Sequence, residues 1–248
     1  MPVFSTAYVV TLILTALSSV SLIWLVRRHP GSWTRWVERS LSLVLIAVSV
    51  TWIVTTTTAA PWSWAYSLPL PLCDVATLVA AAGLWWKRPI WVELTYFWGL
   101  AGTLQALLTP DVNVGFPSLE FLEYVIAHAG IVVAALFLVV GERMIPRPKA
   151  AGKVYLITLG YTAVVGGVDA VTGGDYMFLR HPPSAITMLS VLGPWPWYIA
   201  SAAGVAVVLL VALDAPFWQT RKRMAHLRGV EASDHLSHPF TATLSGQG

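Results

Sequence analysis

The chain has 248 residues, of which 56% are hydrophobic and only 11% are charged. Soluble domains carry about a quarter charged residues, so this composition excludes an ordinary soluble protein and indicates one that lies in a lipid bilayer. The formal net charge of +3 comes from basic loops between apolar segments, which favours anionic lipid headgroups over nucleic acid as partners. The single cysteine excludes an internal disulfide and a cysteine-based zinc cluster, and we expect neither a metal nor a cofactor.

Seven apolar segments are candidates for membrane-spanning helices, because a helix needs roughly 20 apolar residues to cross the hydrocarbon core. Their continuous apolar runs differ from the alternating strands that build a membrane barrel. We therefore expect an all-α, polytopic bundle of seven transmembrane helices in residues 1–216, followed by a basic juxtamembrane stretch and flexible cytoplasmic tail in 217–248. The segments are Val3–Val26, Ser40–Ala60, Leu72–Trp86, Ile90–Leu108, Leu119–Val140, Val154–Val171 and Trp195–Leu213.

The basic residues predict the orientation of these segments. Clusters of lysine and arginine follow the first, third, fifth and seventh segments, whereas Arg180 alone falls in a loop on the other side. The positive-inside rule makes the basic side cytoplasmic. We expect the N-terminus outside, the C-terminus in the cytoplasm, and an odd number of spans.

The stretch before the third segment holds the cysteine. Pro69 and Pro71 keep the chain extended, because a residue before proline avoids the helical region, and Pro71 suits the first helical position. Cys73 then lies in the first helical turn, where the helix dipole favours a thiolate. Asp74 follows it and either adds an unfavourable like charge or orients a histidine. The alternative reading of Cys73 is an inert, buried thiol.

His128 lies about nine positions into the fifth segment, at a depth of roughly 13 Å of helix. An ionisable side chain at that depth is costly and is a functional candidate; the alternative is a neutral histidine that bonds to a neighbouring helix. The predicted topology brings further polar residues to the same outer half of the bundle, where we expect them to bind substrate. They are Gln105, Asp111, Asp169, Asp175, Tyr176 and Arg180.

Seven short stretches match the motifs of one family in order. They are LPLPLCD (68–74), YFWGLAGTLQALLTPD (96–111), FP (116–117), IAHAGIVVAALF (126–137), RP (147–148), GGDYMFL (173–179) and LGPWPWYI (192–199). On these residues the chain resembles the YwaF-like bacterial integral membrane family, which is related to the eukaryotic transmembrane protein 164 group. One departure is Asp175, where the family usually has asparagine.

The resemblance implies a membrane-embedded acyltransferase or acyl-ester hydrolase that acts on phospholipids or lysophospholipids in the bacterial inner membrane. It assigns the nucleophile to Cys73 and its proton acceptor to His128. Asp74 or Asp169 would hold the histidine tautomer, and Gln105 or the first amides of the third helix would stabilise an oxyanion. Two other functions stay open: a transporter or channel that uses the same polar residues, and a non-catalytic membrane scaffold.

Overall fold

The computed structural model of the chain describes residues 5–58, 62–110, 114–183 and 188–237. Every regular element among these residues is helical, which confirms the all-α prediction. The α-helices are α1 (Thr6–Arg28), α2 (Trp33–Thr58), α3 (Leu72–Trp86), α4 (Pro89–Trp98), α5 (Leu104–Leu108), α6 (Leu119–Leu136), α7 (Ala150–Thr172) and α8 (Trp197–Ser237). A π-helical turn, Gly99–Thr103, joins α4 to α5, a second, Phe137–Gly141, ends α6, and a 3₁₀ turn, Met188–Val191, precedes α8.

In the described part of the chain, five helical stretches are long and apolar enough to cross a membrane: α1, α2, α6 with its π turn, α7, and the first 28 residues of α8. The third predicted segment is a helix of 15 residues, or about 22 Å, which is shorter than a hydrocarbon core of about 30 Å. The fourth is divided by the π turn at Gly99–Thr103. Each of the seven predicted segments therefore contains a helix, but seven crossings and the orientation of the termini stay predictions.

The helix boundaries follow from local sequence. Proline occupies the first position of α4, where its missing N–H costs no hydrogen bond. Ser118 caps α6 by accepting a hydrogen bond from the Phe121 N–H. Gly173 ends α7 with a φ of 78°, a left-handed conformation that glycine adopts without strain. α8 continues through Ser237 with Pro216 inside it, so a helix covers the beginning of the region predicted as a tail; residues 238–248 lie outside the described part of the chain.

The centre of the bundle is formed by α3, α4 and α6. Leu84, Phe97 and Ile131, one from each of these helices, are completely buried in a shared hydrophobic core. α2 packs on α3 and α6, α1 packs on α6, and α7 lies against α4 and α8. Gly130 allows α2 to approach α6 closely, because a Cβ there would lie 2.7 Å from Leu45 Cδ2. The outward-facing side chains of α1 are exposed and apolar, as expected for a helix that contacts lipid.

Ion pairs close the end of the bundle at which α3 ends and α4 begins. The Lys87 ammonium lies 2.7 Å from Glu38 and 2.9 Å from Glu142. Burial disfavours its charge, but the two carboxylates outweigh burial and raise the pKa of Lys87. Arg147, from the RP stretch, donates two side-chain hydrogen bonds of 2.8 Å to Glu93, which is almost fully buried. These contacts connect α2, α3, α4 and the loop after α6 at the end that the basic residues predict to be cytoplasmic.

Candidate functional site

A cavity of about 160 Å³ lies between α2, α3 and α6, at the opposite end of the bundle, where α3 and α6 begin. Two of the residues predicted to be catalytic, Asp74 and His128, line it. The other polar residues of its wall are Ser49, Trp52, Thr77, Glu120, Glu123 and Tyr124, and the apolar ones are Val48, Ile53, Pro69, Leu78 and Ala127. The cavity therefore combines acidic, hydroxyl and aromatic groups around one buried imidazole.

The position of the ring proton of His128 follows from its hydrogen bond. His128 Nδ1 lies 2.7 Å from the backbone carbonyl oxygen of Tyr124. A carbonyl oxygen can only accept, so Nδ1 carries a proton, and the neutral form of the ring therefore has its lone pair on Nε2. The imidazole also stacks on the Tyr124 ring, with centroids 4.0 Å apart. Because the Tyr124 hydroxyl donates to the Ala106 carbonyl of α5 at 2.6 Å, both rings have a fixed position.

Asp74 has a different partner from the one predicted. Its Oδ2 accepts a hydrogen bond of 3.2 Å from the indole N–H of Trp52 on α2. The sequence predicted that Asp74 or Asp169 would hold the histidine tautomer, but the Tyr124 carbonyl does so. The reason is local. A helical side chain lies over the preceding turn, so His128 can reach the backbone carbonyl of the residue four positions before it. Asp74 therefore contacts the cavity and joins α3 to α2.

Cys73 lies in the first turn of α3, as predicted, and is half-buried. Its side chain lies next to Thr103 in the π turn, and its carbonyl accepts from the Thr77 hydroxyl at 2.8 Å. Among the described residues, the imidazole of His128 is hydrogen bonded to the Tyr124 carbonyl, and no hydrogen bond joins it to Cys73. Their direct contact stays a prediction; the structure places Asp74, the neighbour of Cys73, in the cavity that His128 lines.

Tyr176, predicted to bind substrate, supports the proline-rich segment before α3. Its hydroxyl donates to the Trp64 carbonyl at 2.8 Å and accepts from the Leu68 N–H at 3.1 Å. Tyr161 of α7 donates a further hydrogen bond of 2.6 Å to the Leu70 carbonyl. Two phenols thus fix the backbone that leads into the turn holding Cys73.

The acidic residues near the end of α7 stabilise the loop that follows this helix. Asp169 is buried, and its Oδ1 accepts from the Tyr176 N–H at 3.2 Å. Asp175 accepts from the backbone N–H groups of Arg180 and His181 at 2.9 and 2.8 Å. The Arg180 guanidinium approaches the Gly174 carbonyl at 3.5 Å. The structure thus shows loop-stabilising contacts for these residues, and substrate binding by them stays a prediction.

Two other residues predicted to bind substrate lie near the C-terminal end of the fourth predicted segment. Gln105 is half-buried on α5, and its backbone carbonyl accepts from Thr109. Asp111 lies outside the described residues. In the part of the chain that the structure describes, no three histidine, cysteine or acidic residues are grouped so that they could hold a metal ion.

Glu120, Glu123, Trp52 and Tyr124 were not predicted as site residues although they line the cavity. Three of them carried a signal. Glu120, Tyr124 and His128 follow one another at intervals of four, and Glu123 lies three residues after Glu120, which are the spacings of neighbours on one face of α6. Trp52 carried none, because its contact with Asp74 depends on how α2 packs on α3.

Residues 3–214 match the sequence model of a protein family that is described as the TMEM164 family. This match covers most of the chain and includes every residue of the site described above. It confirms the resemblance to the transmembrane protein 164 group, whereas a place among the YwaF-like bacterial members stays a prediction. No curated protein and no solved structure is significantly similar to the chain.

Proposed function

Because the chain belongs to the TMEM164 family, we propose that this integral membrane protein transfers or hydrolyses the acyl chains of membrane lipids through a covalent cysteine–histidine mechanism. The observation that carries the proposal is the state of His128. Its Nδ1–H is held by the Tyr124 carbonyl, so Nε2 has the lone pair that a general base needs. The imidazole lines the same cavity as Asp74, the residue after Cys73.

The first half of the reaction forms an acyl-enzyme. His128 Nε2 takes the proton from Cys73 Sγ, and the thiolate attacks the carbonyl carbon of a lipid ester. The tetrahedral intermediate collapses as its carbon–oxygen bond to the alcohol breaks. The leaving alcohol takes the proton from the imidazolium, and the acyl chain stays on Cys73 as a thioester.

The second half releases the acyl chain. A lysophospholipid hydroxyl or water gives its proton to His128 and attacks the thioester carbonyl, and the carbon–sulfur bond breaks. The proton then returns to Cys73 Sγ. The first-turn amides of α3 or the Gln105 amide would stabilise the oxyanion in both halves, because preset donors interact most strongly where negative charge develops.

The proposed setting is the plasma membrane of a bacterium, crossed seven times, with the N-terminus outside and the cavity in the outer half. Phospholipids or lysophospholipids are the substrates. At the inner face, Arg35 and Arg39 lie with Trp36 around a surface cavity of about 370 Å³, and 76% of Trp36 is exposed. Arginine and tryptophan side by side suit contact with anionic lipid headgroups.

The proposal is tested by intact-protein mass spectrometry after purified protein is incubated with mixed phospholipids. Wild type should carry an acyl adduct that hydroxylamine removes, since thioesters are labile to it. Cys73→Ala should carry none, and Cys73→Ser should carry none or an adduct that resists hydroxylamine. Thermal unfolding of each variant serves as the folding control. Lysophospholipid turnover at the wild-type rate in folded Cys73→Ala would overturn the covalent mechanism, whereas absence of both adduct and turnover in wild type would favour the transporter.

A further inference from the structure

We propose that the cavity between α2, α3 and α6 binds an ammonium group, with the Glu123 carboxylate as its anchor. Three of the residues that line the cavity, Asp74, Glu120 and Glu123, have carboxylate side chains. Among the described residues that line it there is no lysine or arginine. A ligand that complements this wall is positively charged.

Glu123 is distinguished from the other two carboxylates by its burial and its unused oxygen. It is 5% exposed, whereas Glu120 is exposed and Asp74 accepts the indole hydrogen bond of Trp52. The Glu123 carboxylate lies near Thr55, whose hydroxyl donates to the Trp52 carbonyl, and Oε1 has no hydrogen-bond partner in the described part of the chain. Because a buried carboxylate oxygen without a partner is unfavourable, a cation in the cavity would stabilise it.

The surrounding side chains favour an organic ammonium over a metal ion. The described residues contain no cluster of ligands that could hold a metal. Trp52 and Tyr124 line the cavity, and aromatic faces attract alkylammonium groups through cation–π interactions. The volume of about 160 Å³ is several times the share of one water molecule in the liquid, about 30 Å³. The cavity can therefore hold a choline-sized or ethanolamine-sized group.

The same ammonium chemistry is found in the headgroup of a zwitterionic lipid and in a free amine. An ammonium group can bind whether or not Cys73 reacts, so binding and acyl transfer can be measured separately. Absence of ammonium binding would leave the covalent mechanism untouched. Conversely, loss of the acyl adduct would not remove the ammonium site.

The test uses full-length protein in nanodiscs of phosphatidylglycerol, which contains no ammonium group. Binding of radiolabelled choline is measured at constant ionic strength in wild type, Glu123→Gln and Glu142→Gln. Glu142 is the matched control, because it also has a buried carboxylate oxygen without a partner but lies at the opposite end of the bundle. We expect saturable binding in wild type, a Kd at least tenfold higher in Glu123→Gln, and a change of less than twofold in Glu142→Gln.

Ala127→Leu is a second variant for the case in which Glu123→Gln does not fold. It fills the cavity from its apolar wall without removing a charge, and we expect it to abolish choline binding. Competition by lysophosphatidylcholine, but not by lysophosphatidylglycerol, would identify a lipid headgroup as the ligand, and choline binding that neither lipid displaces would identify a free amine. Absence of saturable choline binding in wild type, or an unchanged Kd in folded Glu123→Gln or Ala127→Leu, would overturn the proposal.

Discussion

The backbone carbonyl of Tyr124 accepts the Nδ1–H of His128, one turn later on the same helix, at a distance of 2.7 Å. The helix itself therefore sets the histidine tautomer, without the carboxylate that usually orients a catalytic imidazole. Such an arrangement holds the ring in place but does not add a negative charge next to the imidazolium.

Replacement of His128 should remove the base and leave the nucleophile. In His128→Gln, an amide occupies the space of the ring but cannot accept a proton at neutral pH. We expect the acylation rate of Cys73 to fall by about 10²–10⁴-fold, the usual contribution of general acid–base catalysis, as measured by single-turnover mass spectrometry. Thr77→Val is the control, because it alters another residue of the cavity wall and removes no base. Acylation of His128→Gln at the wild-type rate would show that another group takes the thiol proton.

Gly174 allows two backbone segments to approach each other. A Cβ at this position would lie 2.7 Å from the carbonyl oxygen of Ala65 and 3.1 Å from Asp169 Oδ1. We expect Gly174→Ala to lower the free energy of unfolding by about 1–3 kcal/mol, as overpacking does elsewhere, and to slow acylation of Cys73, because the shifted loop leads into α3. Gly167→Ala, inside α7 with open space around it, should instead be neutral or stabilise by up to about 1 kcal/mol. Equal stability of the two variants would contradict the contact; chemical denaturation in micelles measures both.

The Arg147–Glu93 pair should contribute to stability more than a surface pair does. Arg147→Met leaves Glu93, which is 2% exposed, without its guanidinium. The Arg147 side chain is half exposed, so we expect a loss of about 2 kcal/mol, between the values for exposed and buried pairs. The double variant Glu93→Gln/Arg147→Met should recover part of this loss. Lys153→Met, which removes an exposed charge of α7, is the control. Equal losses of stability in Arg147→Met and Lys153→Met would show that the Arg147–Glu93 contact does not stabilise the fold.

The orientation can be tested with single cysteines in the Cys73→Ala background, which has no other thiol. Ser32, between α1 and α2, and His181, after α7, are both exposed. If the basic side is cytoplasmic, an impermeant maleimide added to intact cells should label His181→Cys and leave Ser32→Cys unlabelled until the membrane is permeabilised. The reverse pattern would invert the topology, and labelling of both from one side would exclude the proposed number of crossings between them.

The positions of the helices could be predicted from the sequence, because apolar length and flanking proline or glycine determine where a helix crosses lipid and where it stops. Cys73 in a first helical turn and His128 deep in the fifth segment follow from the same considerations. The π turn at Gly99–Thr103 could not be predicted in this way. It begins where Gly99 packs closely against Ile131 and Ala135 of α6, and such a tertiary contact has no local sequence signal.

The roles of polar residues were harder to predict than their positions. Substrate binding by Tyr176 stays a prediction, whereas the hydrogen bonds of its hydroxyl to the backbone of a distant loop were not predicted. That pairing joins residues 112 positions apart, a separation at which no local pattern carries information. Asp175 was predicted to bind substrate, but its backbone contacts carried a local signal, since aspartate often accepts backbone N–H groups of a following turn. Trp52 could be recognised only once α2 and α3 were seen side by side.

The π turn between α4 and α5 also makes this part of the coding sequence sensitive to the loss of a single codon. Such a turn holds one residue more than an α-helical turn, and one residue corresponds to a rotation of about 100°. Loss of a single codon within 99–103 would leave the segment as apolar as before. It would remove the extra residue, however, and with it the irregular turn in which Thr103 lies next to Cys73. An in-frame deletion that no hydropathy profile would detect is thus expected to rebuild the surroundings of the only cysteine.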